Sequence, residues 1–190
     1  MDKYLSYLRA KLRGKVDMIV TEDIVAHPEG QVADKGDVLN TEQFLRLSQL
    51  NLNTPLASCV KIAKPLTPSA IYKEIGELVS KDKPLNEIDE HFGKASLLDQ
   101  CCDSLKQYPD LLEILTIFKI ETEDLYKQSL TSAYFSYILG AVAKYSQAKI
   151  ESAFLAGVLH DIGLLFIPRN CLDKTKKLNA QEWKEIQLHP

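Results

Sequence analysis

The 190-residue chain is short of the features that mark several large protein classes. It has only 8 glycines, and none gather into a phosphate-cradling loop. There is no internal repeat and no low-complexity tract, which sets aside solenoids and disordered polymers. No apolar run approaches the roughly 18–20 residues of a membrane span. The first residues, MDKYLSYLRAKLRGK, carry charges every few positions and lack an apolar core, so they do not read as a secretory signal. The four cysteines (Cys59, Cys101, Cys102, Cys171) form neither a CxxC nor a metal-knuckle spacing. With no signal peptide, that pattern predicts reduced thiols in the cytoplasm. The adjacent Cys101 and Cys102 read as packing residues. A net charge of −3 argues against a partner that is a nucleic acid polymer.

What is present is ordinary globular usage, 45% hydrophobic and 26% charged. Apolar residues recur mostly at helical spacing, so the chain is expected to be mainly α. Asp2 to Arg13 places Tyr4, Leu5, Leu8 and Leu12 on one face, with Lys3, Arg9, Lys11 and Arg13 around the rest. That is a short amphipathic helix packed on its own domain, or one able to lie on an anionic membrane or an acidic partner. The best β signal follows in VDMIV and DIVAH, with a turn at His27-Pro28-Glu29-Gly30. Asn40 or Thr41 then caps TEQFLRLSQLNL. These make a small strand–turn–strand–helix unit over about 15–55.

From Leu66 onward helices dominate. Thr67-Pro68 is a cap plus proline opening SAIYKEIGELVSK, and Lys83-Pro84 ends that helix. LNEIDEHFGKASLLDQCCDSLKQY reads as one long helix and LLEILTIFKI as a shorter one. Glu121 to Gln147 reads as a long helix whose buried stripe is Tyr126, Leu130, Ala133, Tyr134, Tyr137, Ile138 and Val142. Glu121, Glu123 and Asp124 suit the dipole at its start. ESAFLAGVLHDIG is apolar nearly all round, which predicts a central, buried helix. Asn179 and Glu182 form a capping box for NAQEWKEIQLH. The segments are 1–62, a small N-terminal α/β unit; 63–120, connecting helices; and 121–190, a helical region.

The sharpest chemical feature is His160-Asp161 at the end of the apolar helix. Two ionisable residues there should be desolvated and need partners. Imidazole plus carboxylate suits a first-row divalent metal, and a satisfied His–Asp pair capping the helix is the plainer alternative. Downstream, Ile167-Pro168, Leu172, Lys174, Leu178-Asn179, Glu182-Trp183 and His189-Pro190 keep the order and spacing of a known pattern. Upstream, QSLTSA at 128–133 takes its register from His160. Together, residues about 121–190 resemble the HD-GYP subgroup of the HD-domain metal-dependent phosphohydrolases. The resemblance implies part of an HD-type helical bundle. It implies two or three iron or manganese ions held by histidines and carboxylates, and a metal-activated water attacking cyclic di-GMP. Carried over, His160, Asp161 and His189 are metal ligands. Gln128 stands where the family has its first histidine, and Asp124, one turn earlier, where some members place a glutamate.

The chain also departs from that pattern. Gln128 is a weak neutral donor. Leu164 replaces the lysine that follows the HDIG run, and Phe166 replaces a glycine. The sequence stops at His189-Pro190, before the family's later ligands, so it reads as a fragment or a truncated relative. Glu87 with His91, His27, and the Lys174, Lys176 and Lys177 loop are read as solvated groups.

Three functions follow from the resemblance. The first is a catalytically degenerate HD-GYP-like signalling module that binds a protein partner, itself or a cyclic dinucleotide. The second is an active metal-dependent phosphodiesterase completed by residues beyond Pro190. The third is a non-catalytic HD-related output domain, which AFLAGVLHDIG also resembles. An incomplete bundle predicts exposed apolar surface and self-association.

Overall fold

The computed structural model describes residues 2–12, 14–172 and 177–188. The protein is mainly α, with a small antiparallel β component. It divides into two compact units: residues up to Leu66 with Asp110–Ile117, and Thr67–Pro109 with Phe118 onward.

In the first unit, α1 (Asp2–Leu12) buries Leu5, Leu8 and Leu12, while Tyr4 and Tyr7 stay exposed. The strands are β1 (Met18–Val20), β2 (Ile24–Ala26), β3 (Gly30–Ala33), β4 (Val38–Leu39) and β5 (Val60–Ile62). They form a three-stranded sheet, β4-β1-β5, and a separate β2–β3 hairpin. Met18 lies opposite both Leu39 and Ile62, and Val20 opposite Val60. Met18, Val20, Val60 and Ile62 are buried while Lys61 is exposed, the period-two alternation of a one-faced sheet. Helix α2 (Thr41–Leu47) starts at Asn40, whose side chain accepts from the Gln43 amide while Gln43 Oε1 accepts from the Asn40 amide. Gly14 adopts φ +71°, a conformation that favours glycine, and a Cβ there would also crowd Phe44 at 3.1 Å.

The chain reaches the last part of this unit through α6 (Pro109–Glu121). Glu113 on α6 is 5% exposed, and both carboxylate oxygens accept from Arg9, from Nε and Nη2, at 2.8 Å each. Glu113 Oε1 also accepts the Ile62 amide at 3.0 Å. Thr116 Oγ1 accepts the Leu66 amide at 2.8 Å.

The second unit contains α3 (Pro68–Lys81), α4 (Lys83–Phe92), α5 (Ala95–Ser104), α7 (Glu123–Val142), α8 (Gln147–Leu159), α9 (Arg169–Leu172) and α10 (Ala180–Ile186). Thr67 caps α3 with Pro68 in its first turn, and Asp82 caps α4. The long helix expected over residues 85–108 is broken at Gly93-Lys94, where the Gly93 amide closes α4 onto the Asp89 carbonyl. The helix expected over 121–147 ends at Val142, and Lys144 turns the chain with φ 55° into α8. Val142, expected in the buried stripe, is exposed, while Tyr126, Leu130, Ala133, Tyr134, Tyr137 and Ile138 are buried as expected.

Helices α7 and α8 form a tight antiparallel hairpin. A Cβ on Gly140 would lie 2.9 Å from Ile150, and one on Gly157 would lie 2.6 Å from the Ala133 Cα. Backbone meets backbone at that second crossing. Helix α8 is not buried all round: Phe154, Gly157 and Val158 face the core, but Ala156 is exposed.

Truncating Glu113 leaves the Arg9 guanidinium and the Ile62 amide without their acceptor. Glu113→Ala is therefore expected to cost about 3–5 kcal/mol in urea unfolding. A loss under about 1 kcal/mol would mean the pair is replaced by solvent at no cost.

Candidate functional site

The apolar run AFLAGVL ends α8 at Leu159, and His160 follows as its C-cap. The side chain of His160 is 43% exposed and that of Asp161 is 20% exposed. The expectation that both would be desolvated is corrected here for the histidine. In the last turn Gly157 and Val158 still face the core, and it is at His160, just past the end of the helix, that the chain meets water.

The geometry of the pair is nonetheless specific. His160 Nδ1 lies 2.9 Å from the Gly157 carbonyl, and Nε2 lies 2.9 Å from Asp161 Oδ2. A carbonyl only accepts, so Nδ1 carries a hydrogen. The ring is thereby oriented with Nε2 toward the carboxylate, and at 2.9 Å from that oxygen Nε2 is engaged by Asp161, so an ion would reach it only if the pair parted. Gly157 was missed in the sequence reading. Its signal was a glycine inside an otherwise apolar helix, and it serves twice, admitting α7 and supplying the carbonyl that holds His160.

The hairpin register carries the end of α8 toward the first turns of α7, where Asp124 and Gln128 lie. Both are exposed, four residues apart. Their neighbour Glu123 pairs with Lys127 at 2.7 Å, and that hydrogen-bonded lysine holds the Glu123 carboxyl below the usual range. His189 lies outside the described residues, as do Lys174 and Lys176. Among the described residues no group of three or more His, Cys, Asp or Glu side chains could hold a metal ion. His160 and Asp161 supply two donors, fewer than a divalent ion takes from protein at a catalytic site. The described residues therefore do not make up the metal cage that the resemblance implies.

The segment after the pair is built as core. Leu164 is 8% exposed and packs with Ile167 and Cys171, joined by Leu125, Leu172 and Ile186. This cluster ties the start of α7 to α10, whose Asn179–Glu182 capping box forms as expected. Phe166 and Trp183 are exposed. The remaining candidates are solvated. His91 Nδ1 contacts the Glu87 backbone carbonyl at 2.8 Å, the Glu87 carboxylate lies 3.9 Å from Lys83, and His27 is exposed.

The matches to known proteins fall on this same region. Residues 113–189 match the HDOD domain, which supports an HD-related family for that stretch. Over 96 residues the chain is 29% identical to a cyclic di-GMP phosphodiesterase of Pseudomonas aeruginosa. That alignment covers 50% of this chain and spans 23% of the relative's length. No solved structure matches the chain. The two matches support an HD-related signalling module, with no bearing on catalysis specifically. No helix among the described residues is long and apolar enough to cross a membrane.

The cysteines are buried thiols rather than nucleophiles. Burial, helped by Glu151, pushes Cys101 up to about 11. Burial, with Cys101, Asp99 and Asp103 nearby, pushes Cys102 up to about 12. Between the ordinary value of 9.0 and these values the folded state holds more protons than the unfolded chain. Their contribution to stability is whole below that ordinary value and is lost as pH climbs through the window. The urea midpoint is expected to fall as the buffer is taken above that value, less steeply in Cys102→Ala. Iodoacetamide at neutral pH should label neither thiol until denaturant is added; rapid labelling of the native protein would contradict this picture.

Proposed function

We propose that the C-terminal unit is a degenerate HD-GYP-like signalling module that acts through protein contacts rather than by hydrolysing a cyclic dinucleotide. The observation that carries this reading is Leu164, 8% exposed inside an apolar cluster. The family resemblance calls for a lysine there, whose charge would meet a substrate phosphate. A leucine supplies no charge, and the position now stabilises the fold. Among the described residues His160 and Asp161 offer two donors, and Gln128 stands where the resemblance calls for a histidine, which supports the same reading. The match to the HDOD domain agrees with a role in which the helical scaffold outlasts its chemistry.

Given the complete gene product, with iron or manganese added anaerobically, cyclic di-GMP should not be turned over above the buffer blank. His160→Ala should then change nothing in that assay. Turnover that disappears in His160→Ala would overturn the proposal. That result would favour the second reading, an active phosphodiesterase completed by residues beyond Pro190, which the relative from Pseudomonas aeruginosa motivates.

The contact surface this role needs is supplied by α7. Phe135, Leu139 and Val142 follow one another at helical spacing and are 39%, 66% and 51% exposed. Burying such a stripe against a second copy removes apolar area from water. Light scattering should report a dimer, and Leu139→Lys should shift it toward monomer. A wild-type monomer at high concentration would argue against self-association by this face.

A further inference from the structure

The first helix is a motif that neither the His160–Asp161 pair nor the α7 stripe uses. Helix α1 buries Leu5, Leu8 and Leu12, so the apolar stripe that an amphipathic helix would press into a bilayer is used inside its own unit. The outward side is not simply a solvated polar face. Tyr4 and Tyr7 are 65% and 54% exposed. Tyr4, Tyr7 and Lys11 stand at i, i+3 and i+7, which puts them on one side of the helix. Lys11 is half-buried. Lys15, exposed, follows in the turn after the helix, its amide donating to the Leu12 carbonyl at 3.0 Å.

The surface beside these residues is apolar and uncharged. An open hollow of about 760 Å³ adjoins α1 at Ala10, one turn on from Tyr7. Leu45 of α2, 43% exposed, lines it together with Leu50, Leu52, Pro55 and Leu56. Among the described residues its lining holds no charged side chain. The charge nearby is one-sided. Residues 1–15 carry five basic residues against one acid, while the chain as a whole has a net charge of −3. Discounting Arg9, which Glu113 neutralises, the segment still has four basic residues against Asp2.

These features select among occupants. A positive end on a negative protein is drawn to an anionic surface. Tyrosine has an apolar ring and a polar tip, which suits the headgroup level of a bilayer. A hollow without charged groups costs less to bring against lipid than a charged one. An acidic protein would use the lysines, but it would need an apolar shape matched to the tyrosines and the hollow. A fluid bilayer needs no such match.

We propose that this face of the N-terminal unit rests on the surface of an anionic phospholipid bilayer, reversibly and without insertion of α1. Lys11 and Lys15 meet the headgroup charge, and Tyr4 and Tyr7 lie at headgroup depth. The surface shares no residue with the site in the C-terminal unit, so it stands or falls separately from the function proposed there.

The test is sedimentation of the full chain with vesicles of phosphatidylcholine alone and with vesicles containing about one-third phosphatidylserine. The chain should bind the second, and the first about tenfold or more weakly. Raising the salt from about 0.1 M to about 0.5 M should release it. A lysine near a charged membrane counts for about fivefold in affinity, so Lys11→Gln with Lys15→Gln should weaken binding about tenfold or more. Tyr4→Ser with Tyr7→Ser keeps every charge and should weaken it about threefold or more. Circular dichroism checks that both variants are folded. Should the lysine variant unfold, the tyrosine variant carries the test with the salt and lipid dependence of the wild type. Polyglutamate at matched carboxylate concentration probes for an acidic protein and should bind more weakly than the anionic vesicles. Polyglutamate binding as tight as the vesicles, no binding to anionic vesicles, equal binding to both vesicle types, or binding undiminished in the folded variants would overturn the proposal.

Discussion

The N-terminal unit depends on a single buried ion pair. Arg9 reaches from the first helix to Glu113, more than a hundred residues later in sequence, and meets it with two parallel hydrogen bonds. The same carboxylate takes the Ile62 amide, so one side chain joins α1, β5 and α6. Two charges at 12% and 6% exposure are costly to desolvate, and the bidentate geometry with a third donor offsets that cost. The strands are two to four residues long and cannot hold a sheet by their own ladders. Through Glu113 the first helix and the sixth are both tied to strand β5.

Local signals in the sequence were read well where a side chain answers to its own backbone. Asn40, Thr67 and Asn179 are N-caps because a short polar side chain satisfies amides two or three residues ahead. The stripe from Tyr126 to Ile138 was legible because one face of α7 is buried at helical spacing. Illegible features are those decided at a distance. Strand β5 has a lysine between two apolar residues and exists because β1 offers it an edge. The end of α7 carries neither proline nor glycine at the turn; Lys144 takes a left-handed conformation because α8 must fold back onto α7. The break at Gly93 had a glycine to announce it, but a continuous helical pattern on both sides masked the signal.

The His–Asp pair was found from sequence, and its setting was not. An apolar run suggested burial on all sides, yet helix α8 spends its small residues differently on each face. Gly157 faces a neighbouring backbone and Ala156 faces water. Hydrophobicity alone cannot distinguish those two uses of a small side chain. Likewise Leu164 looked like a lost charge, and the structure makes it a packing residue at the junction of α7, the segment after α8, and α10.

In the helical unit Gly157 lies directly on the backbone of Ala133. A hydrogen atom is the largest substituent the crossing admits, and the carbonyl of that same residue steers the imidazole three positions on. That carbonyl and the ring it holds belong to the same helix end, so the imidazole keeps its direction for as long as α8 keeps its last turn, whether or not α7 stays against it.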